Sequence, residues 1–514
     1  MVSIRFLTCI LCMGVGMVTF LTRSNINVAI VSMIAAPNTN DTELDLCPDL
    51  DSGGGAVNGT DVEEYHGEVF DWSPGLQGSV QGCFFWTYCL CQGPSGYING
   101  RYGGRIPVSA ALLISSVITA LNPVFAHVSV YLLIVSRMVM GIFQAAIFPG
   151  IFVMAVGWVP VQERALAMAM NESGAMVGTI LLFFASGFLV EQYTWTSMFY
   201  FPAISALIAS IVFFLFTRNK PEDHPLISEK EIAFIRGKPE EVTPSNLEMN
   251  GNDTASKTSD SDDISLSSYQ EDHKLVVQYA VPWKKMLTNK AVLSLFLFKI
   301  SRTLIFHLIN SKIPFYLKHV LKEDIVSVGI IYAVFTGIML ASVFASVKMS
   351  EIMIVRCWMT RTNCRKFFSI FSGTGGAIAF MAMAALRCNR AWIKVFFYFI
   401  AICNGLGMAS DVAVPPEMTT NFSAILYALC NMCHVIPGFI SPMFAGFVLG
   451  SVEDEWVAWD IIFNTLGSFC ILANIIFLVF MKAERQDFDD VKDPPRRDQR
   501  IMSIVSNISN FDPY

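Results

Sequence analysis

Long apolar stretches alternate with short polar ones along the whole chain. Twelve of these stretches are predicted to be helical spans, near 5–36, 75–99, 107–126, 129–157, 165–190, 197–217, 291–317, 323–347, 367–386, 391–413, 422–449 and 456–481. Each is long enough to cross an apolar slab of about 30 Å at about 1.5 Å per residue. The first begins with Arg5 and an apolar run, as a signal peptide does. It continues past Arg23 through Val28–Ile34, beyond an h-region of roughly 7–15 residues, and reads as a retained helix. The pattern predicts an all-α membrane protein with two six-helix halves, 1–217 and 290–482, joined by a linker over 218–289 and followed by a tail over 483–514. The centre of the linker, 245–272, is rich in Ser, Asp, Thr and Asn, a composition too poor in apolar groups to fold alone.

Composition agrees. The 514 residues are 54% hydrophobic, with a mean hydropathy of +0.51 and only 15% charged residues, against about 25% in soluble domains. The net charge of −7 carries little information, because one loop supplies much of it. That loop, 37–74, holds ten Asp/Glu, no Lys or Arg, and two sequons at Asn40 and Asn58. Acidic, sequon-bearing chain belongs on the outer face, as a glycosylated loop. The opposite loops carry Arg101, Arg105, Arg164, Arg218, Lys284, Lys285, Arg361, Arg365 and Lys366. Basic loops mark the cytosolic side, so both termini are expected there. The sequon at Asn252 is then cytosolic and stays unmodified. Arg387, Arg390 and Lys394 run against the rule. Most of the thirteen cysteines fall within spans and read as small apolar packers. Cys47 and Cys388 both fall on the oxidising side, which leaves a bridge between them open.

Three arginines interrupt the spans: Arg23, Arg137 and Arg302. A guanidinium at membrane depth costs several kcal/mol on insertion scales and does not shed its charge. Such residues need an anion or a carboxylate to meet them. Arg137 and Gln144 are seven residues apart, close to one face of a helix. In the seventh span Lys299, Arg302 and His307 are spaced by three and five residues, offsets that do not hold one face throughout. Lys312 is expected to snorkel to the outer interface. Gly174 and Gly178 read as close helix packing.

Several segments resemble known transporters. The linker between the second and third spans, Gly96-Tyr-Ile-Asn-Gly100-Arg101-Tyr-Gly103-Gly104-Arg105, is similar to a short Gly- and Arg-rich loop of major facilitators. Its basic residues are expected to bond the C-terminal carbonyls of a facing helix; Gly100 stands where an Asp is usual. Around the first arginine the chain reads Arg23-Ser-Asn25-Ile-Asn-Val28-Ala29-Ile30-Val31-Ser-Met33. The second span holds Gly82-Cys-Phe84-Phe85-Trp86-Thr-Tyr88 and then Gln92-Gly-Pro94-Ser-Gly96-Tyr97. Further on come Arg137-Met-Val-Met-Gly141-Ile-Phe-Gln144, Trp158-Val-Pro160 with Glu163-Arg164, and His224-Pro225-Leu-Ile227-Ser228. Together these motifs resemble solute carrier family 17, which includes vesicular glutamate, sialic acid and sodium–phosphate transporters.

The resemblance implies a major facilitator fold and alternating access around a midplane site. It implies that Arg23 and Arg302 occupy related positions in the two halves and hold an anion between them, with Arg137, Asn25, Gln81 and Gln144 as further substrate-binding candidates. Gln144 and Gln81 stand where proton-coupled relatives carry Glu and His, which weakens proton coupling and a glutamate assignment. Asp411, Glu417, His307, Arg101, Arg105, Glu163 and Arg164 are the coupling or gating candidates. For Arg302 an ion pair with Asp411 or Glu417 stands as the alternative. Without a catalytic domain, a His–Cys metal spacing or a Walker loop, neither an enzyme nor an ATP-driven pump is expected. No cofactor is expected beyond a coupling ion, Na+ or H+. The expected reading is secondary transport of phosphate or an organic carboxylate, driven by a cation gradient or membrane potential. A glutamate or sialate transporter, a channel-like pathway and a non-transporting receptor remain open. The expected partners are a small anion and the lipid of a plasma, vesicular or lysosomal membrane, with no nucleic acid and a monomeric chain.

Overall fold

A computed structural model describes residues 3–34, 69–160, 164–236, 281–419 and 421–489. The sequons at Asn40, Asn58 and Asn252, Cys47, Glu163, segment 245–272 and the tail beyond 489 lie outside the described residues. Cys388 is disulfide-bonded.

The apolar runs form helices where expected. The first six spans are α1 (Ile4–Met33), α2 (Pro74–Tyr102), α3 (Arg105–Val128), α4 with α5 (Val130–Gln144, Ile147–Trp158), α6 (Arg164–Gln192) and α7 (Ser197–Phe216). A short α8 (Glu229–Arg236) and α9 (Trp283–Leu287) flank the linker. The last six spans are α10 with α11 (Lys290–Ser311, Ile313–Phe315), α12 (Ile325–Val355), α13 with α14 (Arg361–Ser369, Gly376–Leu386), α15 with α16 (Arg390–Gly407, Pro415–Met418), α17 with α18 (Ser423–Val435, Pro437–Ser451) and α19 (Glu455–Phe480). Eleven of these are apolar enough to span a bilayer by composition; α2 is 29 residues long but more polar.

Helix starts follow ordinary capping chemistry. The Ser73 hydroxyl accepts from the Leu76 amide with Pro74 at the first helical position, and Asp324 accepts from the Ser327 amide at 2.9 Å. Thr360 caps α13, so the ninth span begins with the basic turn at Arg361, earlier than its apolar run suggests. Ile204, Ile208, Ile211 and Leu215 form an exposed apolar stripe on α7, at the spacing of a lipid-facing helix side.

Small residues set the helix contacts. A Cβ at Gly178 would lie 2.1 Å from the Met17 carbonyl oxygen, and one at Gly174 2.2 Å from that of Met13. These two glycines therefore let α6 and α1 touch, as their spacing predicts. The face holding the α1 N-terminus is called here the terminal face, and the face holding Met33 and Pro74 the loop face. The two halves meet toward the loop face. There α2 packs on α18, where a Cβ at Gly78 would lie 2.4 Å from the Pro442 oxygen, and one at Gly446 2.4 Å from that of Pro74. Similarly α6 packs on α12, where a Cβ at Gly329 would lie 2.5 Å from the Phe183 oxygen.

Candidate functional site

A cavity of about 150 Å³ lies between the halves, with walls from α1, α2, α6, α10, α12, α17 and α18. Its polar lining includes Arg23, Asn27, Gln81, His307, Asn310, Thr336 and His434; its apolar lining includes Phe20, Phe85, Met176, Phe306, Phe335 and Met339. Mixed linings with a few placed polar groups are typical of small-molecule sites.

Arg23 is the charged group of this cavity. Its Nε and Nη2 are buried without a hydrogen-bond partner among the described residues. Its guanidinium instead sits among aromatic rings, 4.5 Å from the Tyr88 centroid, 4.9 Å from Phe84, 5.1 Å from Phe20 and 5.9 Å from Phe148. Ring faces attract the cation but leave its hydrogen-bond donors free. The aromatic cage went unread in the sequence, although the Phe84-Phe85-Trp86-Thr-Tyr88 run on α2 was its visible signal.

Arg137 and Gln144 share a face of α4 as expected, but neither lines the cavity. Both are buried and grip α1 from behind Arg23. Arg137 donates from Nη2 to the Arg23 carbonyl at 2.8 Å, and from Nη1 to the Thr22 carbonyl at 3.3 Å and Asn25 Oδ1 at 3.5 Å. Gln144 donates to the Thr22 hydroxyl at 2.9 Å. Asn25 is also turned away, donating to the Met198 carbonyl at 3.2 Å. Arg137, Gln144 and Asn25 therefore fix the backbone that carries Arg23. Gln81 does reach the cavity, and it ties the halves by donating to the Ser311 carbonyl at 2.7 Å.

Arg302, expected opposite Arg23, is not among the residues lining this cavity. It donates to Asp411 at 3.1 and 3.4 Å, and Lys299 Nζ lies 2.9 Å from the same carboxylate. Lys299 and Arg302 share a helix face after all, because positions three apart are neighbours. Asp411 is brought inward by a π-helical stretch over Met408–Val412. The approach requires Gly407, where a Cβ would lie 2.7 Å from Arg302 Nη1. Glu417 is likewise committed elsewhere: Arg365 donates to both its oxygens at 3.0 and 2.7 Å, and to Ser350 and the Ala409 carbonyl.

His307 lines the cavity with Nε2 3.1 Å from the His434 carbonyl, its ring 5.4 Å from that of His434. A carbonyl only accepts, so Nε2 carries the proton and Nδ1 is left as an acceptor. Lys312 does not snorkel; it is 2% exposed.

The remaining gating candidates lie at the terminal face. Arg105 donates from Nε and Nη2 to the Phe214 carbonyl at 3.0 and 2.8 Å, capping the last turn of α7, the facing-helix contact its motif predicts. Gly103, at φ +79°, makes the turn beside Asn219. Arg101 is exposed and bonds Tyr97. Arg164 begins α6. Trp158 donates to the Arg218 carbonyl at 2.8 Å and meets the His224 ring edge-on, so the tryptophan and histidine motifs join at one corner.

The comparisons with known proteins agree with this architecture. The chain is similar to sialin of Ovis aries (24% identical, covering 91% of this chain and 87% of the relative). It is similar to a putative inorganic phosphate cotransporter of Drosophila melanogaster (25%, covering 98% and 89%) and to vesicular glutamate transporter 3 of Danio rerio (24%, covering 93% and 73%). Among solved structures, the fold matches a bacterial homologue of the human lysosomal transporter Spinster in an inward-facing, unoccupied conformation, with a TM-score of 0.66 at 13% identity over 95% of this chain and 100% of that one. It also matches the inward-open xylose transporter of E. coli, with a TM-score of 0.60 at 13% identity over 93% and 96%. The model of the Major Facilitator Superfamily matches residues 12–442. With its twelve-span fold, its central cavity and transporters rather than enzymes as relatives, the chain belongs to the Major Facilitator Superfamily of multi-pass membrane transporters.

Proposed function

We propose that this transporter carries small organic anions by secondary active transport, and that Arg23 holds the anionic group. The observation that supports this is the Arg23 guanidinium, whose Nε and Nη2 have no partner among the described residues, in a largely apolar cavity between the halves. A carboxylate there gains charge-assisted hydrogen bonds, while an apolar or ring body packs against Phe85, Phe306 and Met339. A bare phosphate uses only the first of these, so an organic carboxylate is the better fit and inorganic phosphate the second reading. The acidic outer loop and basic opposite loops support a cytosolic terminal face and cytosolic termini. Closure at the loop face then corresponds to a cavity presented toward the cytosol. A cation gradient, Na+ or H+, or the membrane potential drives the cycle, in a plasma, vesicular or lysosomal membrane.

The test is reconstitution of the full chain in liposomes, with labelled sialate, glutamate, aspartate and phosphate under sodium, pH and potential gradients. Saturable uptake of a carboxylate that follows one gradient is expected; linear, unsaturable flux indicates a channel, and no flux under any gradient defeats the transport reading. In Arg23→Ala, loss of a buried charge partner worth about 2–5 kcal/mol raises KM roughly thirtyfold or more. Unchanged uptake in that variant sinks the role given to Arg23.

A further inference from the structure

Of the cations on α10 and just beyond it, Lys299 and Arg302 share the Asp411 carboxylate. Lys312, the residue that follows α10, does not. Its side chain is 2% exposed, and no hydrogen bond or ion pair from its ammonium to another described residue is seen. A buried ammonium without a partner is among the least favourable states a side chain occupies. A conformation in which that charge is answered would account for a lysine at this position.

Its position says which conformation. Asn310 and Ser311 line the cavity at its loop-face end, and Lys312 is the next residue. The Ser311 carbonyl receives the cross-half bond from Gln81, α11 packs against α1 of the other half, and His319 Nε2 lies 3.4 Å from the Val31 carbonyl. Lys312 thus lies at the seam that closes the loop face. Gln81 Oε1 and Ser32 Oγ, also at this end, are buried without partners among the described residues. Opening the loop face separates Gln81 from Ser311 and α1 from α11, and releases these groups to the widening cavity.

We propose that Lys312 is the anion-receiving cation of the loop face, the counterpart there of Arg23. The inference rests on the organic-anion reading above and adds a second site to it. Arg23 meets the anion while the cavity faces the terminal side. Lys312 is hidden in that state and meets the anion when the loop face opens. Each half then contributes one unpaired cation to the path, and Arg302 serves the C-terminal half's own structure.

The experiment measures the KM for labelled sialate and glutamate from each face separately, using right-side-out and inside-out proteoliposomes of the full chain. Lys312→Met is expected to raise the loop-face KM roughly tenfold or more, to leave the terminal-face KM within about twofold, and to be rescued by Lys312→Arg. The terminal-face KM is the internal control for folding, and Lys312→Gln reads the same comparison if the methionine variant yields little folded protein. An unchanged loop-face KM, or an equal rise on both faces, overturns the role of Lys312 while the organic-anion reading stands. Absence of saturable wild-type uptake from either face overturns both.

Discussion

The arginines divide by what answers each charge. Arg302 is answered by Asp411, Arg137 by backbone carbonyls of α1, and Arg23 by ring faces. Arg23 keeps both Nε and Nη2 without a partner among the described residues, where Arg137 and Arg302 each keep Nε, and of the three it is the one that lines the cavity. Arg137 reaches Thr22, Arg23 and Asn25 with two nitrogens of one rigid fork, a geometry that a point-charged ammonium does not reproduce. Arg137→Lys is therefore expected to keep the fold but loosen the turn presenting Arg23. A fall in uptake of roughly tenfold or more, with normal folded yield, is the expected result; wild-type kinetics count against the positioning role. The sequence made all three arginines visible, because each breaks an apolar run. It did not show their partners. Asp411 is 109 residues from Arg302 and Arg137 is 114 from the Arg23 carbonyl, so the pairing depends on how helices are placed. Lys312 was misread for the same reason: nearness to a span end predicts snorkelling, while the seam between halves covers it.

At the scale of elements, composition located nearly every span, and the irregularities inside them escaped. The π-helical stretches at Tyr316–Val320, Ile370–Gly375 and Met408–Val412 have no compositional mark, although such bulges often accompany function, and the third carries Asp411. Helix α8 was equally hidden, within a polar linker. Its Glu231 accepts from the Ser3 hydroxyl and from the Arg5 amide at 3.0 Å and the Ile4 amide at 3.3 Å. Ser3 itself does not cap α1, so the linker supplies the capping carboxylate, and Arg5 stacks over Phe234 at 4.4 Å. Partial burial works to raise the Glu231 pKa, but the Ser3 hydroxyl and the Arg5 and Ile4 amides outweigh it and hold the pKa below the ordinary glutamate value. A lowered folded-state pKa means that the contact stabilises above the unfolded value, about 4.3, and is lost as pH falls through the lower folded one. Amide protection at the start of α1, taken against the intrinsic exchange rate at each pH, is expected to be high at neutral pH and to fall below that range. Glu231→Gln should show quicker exchange already at neutral pH; no difference between variant and wild type removes the cap.

At the scale of the whole molecule, the seam at the loop face depends on contacts that admit no side chain. Gly78 and Gly446 let α2 meet α18, and Gly187 and Gly329 let α6 meet α12, where a Cβ at Gly187 would lie 2.9 Å from Val326 Cα. Alternating access requires both seams to part together, since each half moves largely as a unit. A methyl added at one of them opposes the closed seam but leaves the parted one free. Overpacking of this kind costs about 1–3 kcal/mol, enough to shift a two-state balance roughly 5- to 150-fold. The double variant Gly78→Ala with Gly329→Ala is thus expected to favour the state open to the loop face. Spin labels across the loop-face ends of α2 and α18 should report a longer mean distance, and net uptake should fall because the cycle stalls. Anion affinity from the loop face should be preserved or raised, since the competent state there is more populated. Glycine contacts that merely hold the protein together predict something different, namely lower thermal stability with no change in distance and equal loss of affinity from both faces. That result would return the loop-face contacts to simple packing and would remove the conformational setting in which Lys312 meets the anion.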